Sequence, residues 1–173
     1  LTKIPVLYGG DFGPDLVKVA EYLHLAPEDV IRLHCSKPYF IYMIGFMPGF
    51  PYMGELPGAL ITPRLKTPRL SVLACSVAIA QKQTGIYPVE SPGGWQILGR
   101  TPVKLFNPEK EPPALLRMGD LVQFYPISEK EFHEWNSQSA WHIGHACNPI
   151  NEKVGATLWG CPRGVRVGKS SNF

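Results

Sequence analysis

The sequence predicts a mainly β domain, a closed barrel or a sandwich, entered through two short helices. Three observations point there. Its 17 glycines and 18 prolines punctuate a chain that is still 45% apolar. Short apolar runs of strand length recur between turn signals over most of its length. A helical period of 3.6 residues appears only near the beginning. At 173 residues there is enough chain for one core-forming domain, with or without an appendage.

Composition excludes some function classes. No run approaches the roughly 18 apolar residues of a membrane span, and no basic region precedes an apolar stretch at the start. The expectation is a cytoplasmic protein with no membrane partner. The net charge of +3 lies in residues 136–173, where Lys153, Arg163, Arg166 and Lys169 face only Glu152. Residues 1–135 are therefore balanced and offer no basic stripe for nucleic acid. Cys35 and Cys75 sit among apolar residues, Cys147 and Cys161 lie in the tail, and with no paired framework all four are expected reduced.

Ile4 to Tyr8 reads as a first strand ending at Gly9-Gly10. Gly13-Pro14 then opens a helix whose Leu16, Val19, Ala20 and Leu23 form an apolar stripe, with Asp15, Lys18 and Glu21 toward water. A second helix starts at Pro27, with Glu28 and Asp29 near its positive end and Val30, Leu33 and His34 inward. Tyr39 to Ile44 has the continuous aromatic and β-branched character of a buried strand. Gly45 to Leu70 is a proline- and glycine-rich segment carrying a short echo, Thr62-Pro63-Arg64-Leu65 and Thr67-Pro68-Arg69-Leu70. Further strands are expected at Val72 to Ala80, Ile86 to Val89, Trp95 to Leu98, Val103 to Phe106 and Leu121 to Tyr125. Turns are expected at Gln83-Thr84-Gly85, Pro92-Gly93-Gly94, Asn107-Pro108 and Met118-Gly119-Asp120. The domain is expected to end near residue 135, with residues 136–173 a poorly ordered or non-native tail.

Most chemical motifs fail on inspection. His142, His145, Cys147 and Cys161 supply zinc-type ligands at an unfamiliar spacing, and no metal is expected. Gly164 to Ser170 has three residues between its glycines where a phosphate loop needs four, and no helix can follow before Phe173. No nucleophile elbow is present, neither Cys35 nor Cys75 carries a cue for activation, and no catalytic residue is assigned. His34, at the end of an amphipathic helix, is read as structural.

Three segments combine rigid backbone with recognition chemistry. Gly45 to Gly54 sets Phe46, Pro48, Phe50, Pro51 and Tyr52 on a stiff loop, either a cover for a barrel end or a partner-binding surface, since ordered aromatics lose little entropy when covered. Arg64 and Arg69 stand on proline-fixed backbone, able to grip a carboxylate or phosphate with two parallel hydrogen bonds, or to pair with Glu55 or Glu90. Gln83, Thr84, Tyr87, Ser91 and Arg100, with Trp95 beside Gly93-Gly94, can converge at a barrel mouth or can be ordinary turns around a core tryptophan.

The strings GFMPGFPYMGELP, SVAIAQKQTGIYPVESPGGWQILGRTP and LLRMGDLVQFYPI, the doubled TPR, and the opening IPVLYGGDFGPDL with EDVIRLH resemble the KipI, or allophanate-hydrolase-subunit-1-like, family over about residues 4–128. The resemblance implies a cyclophilin-like closed β-barrel with two short flanking helices, preceded in the family by an N-terminal domain not contained in this sequence. It implies the role of the B subunit in a bacterial ATP-dependent 5-oxoprolinase, working with a KipA-type partner and a LamB/YcsF-type partner. ATP would act in the assembled complex, with no cofactor bound by this chain alone. Similar paired domains occur in the carboxyltransferase part of urea carboxylase. On this reading Arg64, Arg69 and Arg100 supply charge to substrate, Thr84 and Ser91 polar contacts, and Tyr87 and Trp95 the pocket walls. The alternative it implies is a regulatory module inhibiting a sporulation histidine kinase through Phe46 to Tyr52. A cyclophilin-like fold by itself does not carry prolyl isomerase activity.

Overall fold

The computed structural model describes residues 1–135; the zinc-type set, the Gly164 to Ser170 stretch and the expected tail lie outside the described residues. Among the described residues the chain forms nine strands and three α-helices. These are β1 (Thr2–Tyr8), α1 (Leu16–Leu23), α2 (Pro27–His34), β2 (Tyr39–Ile44), β3 (Pro51–Gly54), β4 (Arg69–Val72), β5 (Ser76–Ala80), β6 (Gln83–Ile86), β7 (Ser91–Gly93), β8 (Gln96–Arg100), β9 (Leu121–Pro126) and α3 (Glu129–Glu134). Seven of the strands close a barrel in the order β1-β8-β5-β6-β3-β2-β9, while β4 and β7 pair as a separate ribbon. The barrel shuts where β9 runs parallel to β1, from Thr2 opposite Val122 to Val6 opposite Pro126. Closure leaves the barrel no edge strand to template aggregation.

Because successive strand residues point to opposite faces, the same strands build two cores. Val77, Ile79, Ile86 and Leu98 face inward with Ile4, Ile41, Met53 and Phe124, and join the buried faces of α1 and α2. Ala78, Ala80 and Ile97 face outward, where Phe50, Tyr87, Trp95 and Val72 of the ribbon cover them.

Several expected elements move. The run Val72 to Ala80 breaks between β4 and β5, since Cys75 takes a left-handed conformation, φ 67°, as the chain passes from ribbon to barrel. Gln83-Thr84-Gly85 is strand, not turn. The reversal comes two residues earlier, where Gln81 adopts φ 54°, a conformation that glutamine does not advertise. Val103 to Phe106 forms no strand; Val103 and Leu105 are buried anchors of a loop, and Phe106 makes one isolated bridge to Ala114. Gly93, expected in a turn, belongs to β7. Besides β7, two further elements are additions. β3 lies inside the proline-rich segment, with Pro51 at its first position, where a missing donor is tolerated. α3 opens on a capping box formed by Ser128 and Glu131, whose S-x-x-E signature is legible in sequence.

Candidate functional site

Inside the barrel, α2 carries His34 among strands. Its Nε2 lies 2.9 Å from Thr84 Oγ1, its Nδ1 lies 2.7 Å from the Tyr8 hydroxyl, and its ring stacks on Phe124. Thr84 donates its own proton to the Ala78 carbonyl, so it accepts from His34 Nε2–H. Nδ1 is then the acceptor for Tyr8 O–H, and the Tyr8 oxygen takes the Cys35 thiol at 3.4 Å. Burial alone pushes the His34 pKa down to about 3; burial, with the neighbouring Cys35 and Tyr39, raises that of Tyr8, and burial raises that of Cys35 against its hydrogen bond with Tyr8. The network is neutral and closed. Thr84 is thus a correction: it is fully buried and bonded within the barrel, not at a mouth with Tyr87 and Ser91.

The outer face holds the aromatic residues. Trp95 meets Phe50 edge-on with centroids 5.5 Å apart and Tyr52 at 6.0 Å, while Phe50 meets Tyr87 at 5.3 Å. Two glycines permit this. A Cβ on Gly85 would stand 2.9 Å from the Phe50 ring and 3.1 Å from Trp95, and one on Gly93 would strike the Tyr87 hydroxyl at 2.3 Å. Arg64, exposed, places its guanidinium 5.8 Å from the Trp95 ring centroid. Burial raises the Tyr87 pKa, against a hydrogen bond with the Trp95 backbone and the positive charge of Arg64.

The paired arginines of the echo part company. Arg69 donates from Nη2 to Asp15 at 2.6 Å, and Asp15, expected to face water, is buried at 1% exposure with its second oxygen accepting from Ile97 N–H at 2.7 Å. The predicted acidic partners, Glu55 and Glu90, are not used; Glu90 accepts instead from Ser71. Arg69 therefore fastens the ribbon to α1 and β8. Its Nη1, like Ser91 Oγ, is buried without a protein partner. Arg100 is also separate: it ends β8, one strand length from Gln96, and binds the Ala74 carbonyl at 2.9 Å.

Of the predicted contact loop, Phe46 and Pro48 are exposed and Tyr52 half-buried, but Phe50 and Pro51 are buried. These two are corrections, because the loop folds them over the outer core. Phe46 is 70% exposed at φ 68°, a conformation a bulky side chain rarely adopts. The structure thus brings Arg64, Tyr87, Trp95, Tyr52 and Phe46 to one side and leaves Thr84 and Arg100 elsewhere. Among the described residues no cluster of three His, Cys, Asp or Glu side chains is arranged to hold a metal. Sequence reasoning missed Asp15, whose signal was an acid beside a helix-opening proline.

A closed seven-stranded barrel with short flanking helices, an inner core, and a second aromatic cluster on its outer face under a ribbon is a cyclophilin-like barrel. A family model described as the carboxyltransferase domain, subdomains C and D, matches residues 1–116, and the chain belongs to that family, in its KipI-type branch. It is 50% identical over 139 residues to the 5-oxoprolinase B subunit of Bacillus subtilis strain 168, a match that covers 80% of this chain and 58% of that one. The crystal structure of a conserved uncharacterised protein from Pyrococcus horikoshii superposes with a TM-score of 0.73 at 55% identity, over 75% of this chain and 60% of the other. Urea amidolyase of Kluyveromyces lactis shares the fold at 20% identity, TM-score 0.66, over 81% of this chain and 10% of its own. The chain spans less than two thirds of the length of the 5-oxoprolinase B subunits it matches.

Proposed function

We propose that this chain is the barrel part of the B subunit of an ATP-dependent 5-oxoprolinase, which opens 5-oxoproline to glutamate in the cytoplasm in concert with KipA-type and LamB/YcsF-type partners. The observation that carries the reading is the half-identical match to the 5-oxoprolinase B subunit across most of the chain. The site geometry supports it. A lactam carbonyl is unreactive until ATP transfers a phosphoryl group to its oxygen, and the charge that develops needs positioned cations. Arg64 is exposed, held over Trp95 and free of any ion pair among the described residues. Arg69 acts through position, since Asp15 holds it, and Tyr87 and Trp95, expected as pocket walls, are buried and support from beneath the surface that Arg64 overlooks.

Reconstitution of the three-component enzyme tests this. Arg64→Ala is expected to lower kcat/KM about 10- to 100-fold, the loss of one charged hydrogen bond to substrate or phosphate, with folding unchanged. Full activity in that variant would remove Arg64 from the site, and absence of ATP-dependent turnover by the wild-type complex would remove the reading.

A second reading has one observation in its favour. Phe46 is held out in solvent on strained backbone, as a partner-contact residue would be, so the loop suits a regulatory module docking on a protein such as a sporulation histidine kinase. Inhibition of such a kinase by the full-length protein should then fall at least tenfold in Phe46→Ser; inhibition at wild-type strength would end this alternative.

A further inference from the structure

Thr62 and Pro63, which precede Arg64 in the chain, line a groove of about 690 Å³, within the usual size of a small-molecule site. Three large apolar residues from separate elements wall it: Tyr22 of α1, Tyr42 of β2 and Ile61, each left at least 40% exposed. Its polar side is the tip of the β5–β6 hairpin, Gln81, Lys82 and Gln83. That tip is strapped twice, by Gln81 N–H to the Thr62 carbonyl at 2.6 Å and by Leu56 N–H to the Lys82 carbonyl at 2.8 Å. The strap holds Gln81 at φ 54°, a conformation glutamine takes only when its surroundings insist. Gln83 stands opposite Gly54 in register. The absent Cβ of Gly54 lets the Tyr42 ring come within 3.0 Å of that position, and Tyr42 and Gln83 line the same groove.

The chemistry selects a ligand class. Lys82 and Glu55 both line the groove yet form no ion pair among the described residues, so its formal charge is balanced. One ammonium, Lys82, can match a single carboxylate set away from Glu55, but it cannot match a polyphosphate. A carboxamide offers one donor edge and one acceptor, the complement of a cyclic amide's C=O and N–H. Flat apolar walls accept a small ring.

We propose that this groove binds a small lactam bearing a carboxylate, with the Lys82 ammonium on the carboxylate, the Gln83 carboxamide on the amide edge and the Tyr42 ring against the lactam face. The ligand's identity as 5-oxoproline rests on the proposed function; the class rests on the groove. The ring fills only the polar end of the groove, leaving room beside it for an activating phosphoryl donor.

Amide NMR titration of the full chain tests this with 5-oxoproline, with 2-pyrrolidinone, which lacks the carboxylate, and with cyclopentanecarboxylate, which lacks the lactam. Shifts are expected at residues 81–83 and in the Gln83 side-chain amide, with 5-oxoproline at least tenfold tighter than either fragment. Lys82→Met should abolish the preference over 2-pyrrolidinone, and Gln83→Leu the preference over cyclopentanecarboxylate. Shifts confined to Arg64 and Trp95, or no binding at millimolar ligand, would overturn the groove. In the reconstituted enzyme, turnover with unchanged KM in both variants would also overturn it while leaving the proposed function intact. A wild-type complex with no turnover would instead strike the proposed function and leave the titration to judge the groove.

Discussion

The two faces of the sheet formed by β6, β5 and β8 come from alternate residues of the same strands, yet they are finished in opposite ways. Toward the barrel axis, Tyr8, His34 and Thr84 satisfy one another in a closed chain of hydrogen bonds, and Tyr39 donates to the His34 carbonyl at 2.8 Å. Toward the ribbon, one Arg69 nitrogen and the Ser91 hydroxyl have no protein partner, Arg64 is exposed over Trp95, and Phe46 keeps a strained conformation in solvent. A buried polar group left unpaired costs about 1–3 kcal/mol, so the inner face gains stability by completeness. The outer face keeps two polar atoms without a protein partner, and the proposed recognition chemistry is placed there, although a barrel mouth is the more usual place.

Substitutions sharpen the contrast. His34→Ala opens a cavity and strands the hydroxyls of Tyr8 and Thr84, with an expected loss of about 3–5 kcal/mol in denaturant unfolding; the fraction that remains folded should keep full activity in the complex. A loss of activity there would place function in the interior and break the comparison.

Acid probes the same face. The unfolded chain binds a proton on His34 near its ordinary pKa of 6.5, while the folded protein resists until about pH 3. Stability from the neutral imidazole is thus complete above pH 6.5 and is lost as pH falls from there toward 3. The expected decline is on the order of 4 kcal/mol between pH 7 and pH 3, read from urea midpoints, and His34→Gln should flatten that slope.

Asp15→Ala tests the join between faces. Removing it leaves Arg69 facing an empty partner and the Ile97 amide unsatisfied, for an expected loss of about 3 kcal/mol. Because Arg69 also fastens the ribbon, protease cleavage near residues 66–70 should accelerate more than global unfolding explains; equal acceleration would mean that the ribbon is held by packing alone.

The smallest expected effect has the opposite sign. Phe46→Gly relieves the left-handed backbone and should raise stability by about 0.5–1 kcal/mol while weakening whatever contact Phe46 makes in the assembled complex. A destabilised variant would show that Phe46 packs for the fold, as Phe50 does.

Sequence pattern read the local elements well where a periodic signal existed. α2 starts at Pro27 as expected, while α1 starts at Leu16, two residues after Pro14, and β2 spans its apolar run residue for residue although Phe40, Tyr42 and Met43 are exposed where a buried strand was expected. It failed where a turn used an unadvertised residue, as at Gln81 and Cys75, and where a strand hid among prolines, as at β3. For the site, aromatic and arginine positions in stiff loops were visible, but their fates were not. Phe50 and Phe46 share one loop, yet one is buried and the other exposed. Arg64 and Arg69 share one motif, yet one is exposed and the other ion-paired.

By itself, then, the sequence determined the β-rich class, the two entry helices and the rigid loops, because periodicity, proline and glycine act through neighbours a few residues away. Only the tertiary structure decided that β9 closes the barrel on β1, that Asp15 rather than a nearby acid holds Arg69, and that Tyr22, Tyr42 and Gln83 meet in one groove. Those outcomes depend on residues tens of positions apart being brought together, and no local preference encodes which side of a closed sheet each will reach.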